Sequence, residues 1–73
     1  MTVTSKMHGW HIEPETEWWH FYNRRGRFLS ISRRLGIEPE WQGTASNMKP
    51  GQKINLYRQA LDMLPDNWRD AGG

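Results

Sequence analysis

His8 and His11 stand three residues apart, with Glu13, Glu15 and Glu17 just beyond them. Imidazole and carboxylate are the usual metal ligands and proton carriers, so this cluster is the first place to seek a metal or catalytic centre. No second paired ligand motif follows, and the chain has no cysteine to supply a thiolate or a disulfide. A working acid/base pair also needs a pocket that shifts its pKa values. The glutamates read more simply as solvated acids. Gly26, Gly36, Gly43 and Gly51 are spaced as turns and form no phosphate loop. No Ser or Thr stands with an activating base in a recognisable frame. The sequence thus points to a binding protein rather than an enzyme, with no metal or cofactor.

A second grouping is aromatic and basic. Arg24, Arg25, Arg27, Arg33 and Arg34 fall close together with no acid between them, a local field that the net charge of +2 conceals. Trp18, Trp19 and Tyr22 precede them, in a chain with five Trp in all: Trp10, Trp18, Trp19, Trp41 and Trp68. A core this small is expected to hide two or three of them and to leave the rest on a surface. Arginine beside exposed aromatics suits single-stranded nucleic acid, where bases stack and phosphates are neutralised. It equally suits a protein surface with an acidic rim and an apolar centre. Trp18, Trp19, Tyr22, Arg24, Arg25, Arg27, Arg33 and Arg34 are the candidate partner-binding residues. The bland reading of the arginines is a solvated face.

These side chains must be held by a single domain spanning 1–73, with mobile tails expected at about 1–9 and 66–73. Residues 10–13 alternate as a short strand that Pro14 ends. Trp18, Trp19, Phe21 and Tyr22 favour strand, as do Phe28 and Ile31. Asn23-Arg24-Arg25-Gly26 has the chemistry of a type I turn with a left-handed glycine at its end. The reading is a hairpin of 17–23 with 27–32, Trp19 and Phe21 on one face, Trp18, His20 and Tyr22 on the other. A helical reading of 17–33 stands beside it, with Gly36 as C-cap of a helix-turn-helix. Pro39, Gly43, Pro50 and Gly51 leave room for only a short recognition helix in that case.

Residues 36–52 read as loop, with one turn of helix around Pro39 to Gln42. Residues 53–64 carry Ile54, Tyr57, Leu61 and Leu64 at helical spacing, a stripe widened by Leu56, Ala60 and Met63. Pro65 stops that helix, and Trp68 either folds back onto it or stays exposed. The fold class expected is a small α+β domain, a β-hairpin with a C-terminal helix. A small all-α helix-turn-helix-like domain is the alternative. No apolar run reaches the roughly 18 residues of a membrane span, and no signal sequence is evident, so a cytoplasmic location is expected.

The run from His8 to Gly26, HGWHIEPETEWWHFYNRRG, resembles the small RNA polymerase-binding transcription regulators of lytic phages. The length and the Trp pattern extend the resemblance over most of the chain. It implies a partner in bacterial RNA polymerase, at the β′ N-terminal region and the β flap, in the host bacterial cytoplasm. It implies inhibition of initiation by sigma displacement and promotion of terminator read-through. RNA near the exit channel would lie within reach. The residue types alone leave two alternatives: a module acting directly on DNA or RNA, and a protein with some other host target.

Overall fold

A computed structural model describes residues 3–4 and 9–70, with side chains from residue 9 onward. It is α+β. Five antiparallel strands follow one another in sheet order as in sequence: β1 Val3–Thr4, β2 His11–Pro14, β3 Trp18–Asn23, β4 Gly26–Ser32 and β5 Glu40–Trp41. A short 3-10 helix, Gly43–Asn47, leads to α1, Pro50–Met63.

The hairpin reading of 17–33 holds, and the helical one does not. Asn23 pairs with Gly26 across the turn, and the Asn23 side-chain oxygen accepts the Arg25 N–H at 2.8 Å. Gly26 takes φ +115, a conformation that side chains resist. The hairpin departs from simple alternation at one point. Tyr22 pairs with Arg27, but Phe21 pairs with Leu29, so Phe28 is the extra residue of a β-bulge. Without it, Leu29 and Ile31 would leave the face that carries Trp19 and Phe21. The bulge resets the phase, and Phe21, Leu29 and Ile31 are buried together with Ile12 and Trp19. Phe28 is buried too, 4.9 Å from the ring of Trp10 and edge-on to Phe21.

Pro39 to Gln42 is not a helical turn. Glu40–Trp41 extends the sheet by pairing with Ser30 and Leu29, and the helical turn comes later, at Gly43–Asn47. The main helix starts three residues earlier than its apolar spacing suggests, with Pro50 at its first position, where the missing N–H is no loss. It ends as expected: Leu64 is extended, as a residue before Pro65 must be.

The helix is rotated from the expected stripe. Ala60 and Leu64 are buried against the sheet, with Leu56, Tyr57, Leu61 and Met63 half-buried, but Ile54 is 52% exposed. The buried line is turned by roughly 60° from the one through Ile54, Tyr57, Leu61 and Leu64. Ala60, with no exposed surface, marks the line that joins the core.

Of the expected N-terminal tail, Val3–Thr4 pair with Ile12 and His11, and residues 1–2 and 5–8 lie outside the described residues. At the other end, 66–70 form turns, and 71–73 are outside the described residues. Trp68 folds back onto the core: its carbonyl accepts the Trp19 indole N–H at 2.9 Å. Among the described residues no helix is long and apolar enough to cross a membrane.

Candidate functional site

The sheet has one face packed under the helix and one face of polar and aromatic side chains. Register places His11, Tyr22 and Arg27 in one row of that second face. The His11 and Tyr22 rings stack at 4.7 Å, nearly parallel. The Arg27 guanidinium lies over the same Tyr22 ring, donating to its hydroxyl at 2.8 and 3.2 Å. Arg27 is therefore held in place rather than loose.

The next row is Glu13, His20, Ser30 and Glu40. His20 and Ser30 are buried polar groups, and Ser30 Oγ lies 2.7 Å from His20 Nδ1. His20 Nε2 is 3.0 Å from a Glu15 carboxylate oxygen. With a proton on Nε2 the ring donates to Glu15, and the Ser30 hydroxyl donates to a bare Nδ1 or accepts from a protonated one. The Glu15 carboxyl is held below its ordinary pKa, first by its hydrogen bond to His20 and then by the imidazole's positive charge when protonated.

A Ser, a His and a carboxylate in line have the composition of a nucleophilic relay. Here Ser30 is 1% exposed, so no substrate carbonyl can reach its oxygen, and the line acts as a structural network running from a buried serine to an exposed carboxylate. Sequence reasoning missed this pairing because the bulge sets it. With the turn register carried straight down the hairpin, His20 would face Leu29. The adjacent apolar pair Phe28-Leu29 was the signal, since strict alternation cannot bury both.

The candidate partner-binding residues separate into four settings. Trp19 and Arg33 are inside the fold. Arg33 lies over the Trp19 ring at 4.6 Å, and its carbonyl accepts from Arg69 Nη1 at 3.0 Å. These two do not belong to an exposed surface, because Trp19, Arg33, Trp68 and Arg69 form a clasp that fastens the C-terminal turn. Arg34 is exposed but ion-paired to Glu17. Trp18, half-buried, pairs with Ser32 on the polar face. Tyr22, Arg24, Arg25 and Arg27 remain together at the hairpin tip.

The surface has two concavities of note, of which only the first includes candidate residues. One, of about 250 Å³, is lined by Asn23, Arg25, Arg27, Phe28, Gln42, Gly43 and Thr44. The other, of about 320 Å³, is an apolar groove between Pro39, Trp41, Ile54 and Tyr57, with Lys53 over the Trp41 ring at 5.9 Å. The loop that precedes Pro39 carries Leu35, 81% exposed, and Ile37, 49% exposed. No cluster of metal-ligating side chains occurs among the described residues, and His8 of the sequence-level cluster lies outside them. No family model, curated protein or solved structure matches the chain.

Proposed function

We propose that this chain is a transcription regulator of the phage type that binds bacterial RNA polymerase in the host cytoplasm. On this reading it occupies the β′ N-terminal region and the β flap, displaces sigma factor at promoters and promotes read-through of terminators. The resemblance of residues 8–26 to phage regulators supplies the target. The observation that carries a protein partner is the apolar groove of Pro39, Trp41, Ile54 and Tyr57, with Ile54 exposed, together with the exposed Leu35 and Ile37 of the preceding loop. A chain this small has little apolar surface to spare, and exposed large apolar groups bordering a groove mark an interaction site.

The groove also has the right composition. Trp41 and Tyr57 give contact area with few rotamers to freeze, and Lys53 gives a basic rim. A partner with apolar anchors and acidic surroundings fits it. The buried Ser30 favours a binding role over hydrolysis.

The test uses purified bacterial core polymerase and holoenzyme. Wild-type chain should bind core, release sigma in a native gel and raise read-through in a single-round terminator assay. Ile54→Ser and Leu35→Ser should weaken binding by roughly tenfold or more together while leaving the melting temperature unchanged. Absence of binding to core polymerase rejects the reading. Binding untouched by both substitutions removes the groove from it.

A further inference from the structure

We infer that the cavity at the hairpin tip is a binding site for one nucleotide unit of single-stranded nucleic acid, with Arg25 and Arg27 on its phosphates and the Gln42 amide on its base edge. This does not rest on the polymerase reading, since it concerns the chain and a nucleic acid alone.

Three observations converge. The cavity is acid-free: Asn23, Arg25, Arg27, Phe28, Gln42, Gly43 and Thr44 line it, so two cations stand without a carboxylate among the lining groups. Neither Arg24 nor Arg25 is ion-paired among the described residues, and Arg27 donates to the Tyr22 hydroxyl, with Glu15 and Glu13 acting on it only beyond ion-pair distance. Second, Gln42 Oε1 is buried without a hydrogen-bond partner. An orphaned buried acceptor is costly, and a ligand donor that meets it recovers that loss. Gln42 is among the lining residues, and a rotation of its side chain on binding would bring the amide, with its donor and its acceptor, to the ligand. That pair matches a base edge as glutamine does in groove recognition. Third, the volume of about 250 Å³ is below the roughly 300–1,000 Å³ of pockets for drug-sized ligands, and suits one small unit of a longer chain.

The surroundings choose nucleic acid over a single anion. Arg24, Arg25 and Arg27 are spread over four residues of the tip, as repeating backbone charges require. The stacked His11 and Tyr22 rings lie beside Arg27 on the adjoining face. Phosphate contacts position a strand and base-edge contacts read it, and the cavity has residues of both kinds.

The experiment titrates the chain with single-stranded RNA of about eight nucleotides, followed by anisotropy over a salt series and by backbone and side-chain amide NMR. Amides of 23–27 and 42–44, with the Gln42 side-chain amide, should shift. Arg25→Ser should reduce the slope of log affinity against log salt by about 0.7 for each phosphate no longer neutralised. Gln42→Met should weaken binding roughly tenfold and leave the slope unchanged. Shift mapping on the wild-type chain keeps the test valid where a variant folds poorly. No binding at low salt overturns the inference. So do shifts confined to other surfaces, or equal displacement by an oligoglutamate peptide, which would make the cavity a site for acidic protein segments.

Discussion

At the scale of single residues, one exposed carboxylate and one turn glycine carry testable contributions to stability. Glu15 has its pKa lowered by His20. A carboxyl whose pKa is lower in the folded than in the unfolded state adds stability above its unfolded value. That stability is lost as pH falls through the folded value. Glu15→Gln should therefore be less stable than wild type at neutral pH, and the difference should close once pH drops below the ordinary carboxylate range. Urea midpoints measured over a pH series decide this, and a pH-independent difference would remove Glu15 from the network. Gly26 sits at φ +115 with open space where a Cβ would point. Gly26→Val should cost about 1–3 kcal/mol from backbone strain alone. An unchanged urea midpoint would contradict that. Gly26 was legible from the Asn-Arg-Arg-Gly turn, whereas the Ser30–His20–Glu15 line was not, because it needs a register that only the bulge fixes.

At the scale of elements, the hairpin and the helix were both readable, and the way each presents its faces was not. Aromatic density and turn chemistry are local properties, so β3 and β4 could be placed to within a residue. Helical spacing in 53–64 marks a helix equally locally, but several apolar lines run along it, and which one is buried depends on what it meets. Ala60 marks the buried line, and Ile54 is left outside. Leu64→Ala should therefore destabilise by about 2–4 kcal/mol, and Ile54→Ser by no more than about 0.5 kcal/mol. Ala60→Leu should cost about 1–3 kcal/mol by forcing the helix off the sheet. Thermal melts of the three variants check the order, and Ile54→Ser as the most damaging would restore the stripe read from spacing. The arginine row divides for a similar reason. Five charges adjacent in sequence lie on a tip, a strand face and a clasp, and residue types alone do not say which one burial claims.

At the scale of the whole molecule, each strand pairs with the next in sequence, and the helix follows the sheet. Such an order needs few distant contacts, so a simple reading of elements was enough to give the fold class. The packing of the helix into the core and the clasp are the exceptions, and the clasp lies nearest the chain's C-terminal end. Trp19 and Trp68 are 49 residues apart, and Arg33 and Arg69 are 36 apart. Its consequence lies in time rather than in shape. Neighbouring strands can pair before long loops close, so the meander should assemble first and the clasp should shut after the transition state. Arg69→Ala should then speed unfolding and leave the folding rate nearly unchanged, a φ-value near zero. Stopped-flow tryptophan fluorescence across a urea series measures both arms, and an equal slowing of folding would place the clasp in the nucleus. With a late-closing clasp, the chain's lifetime in the folded state is set by four residues that fasten the C-terminal turn to the hairpin, while its rate of reaching that state is set by the hairpin.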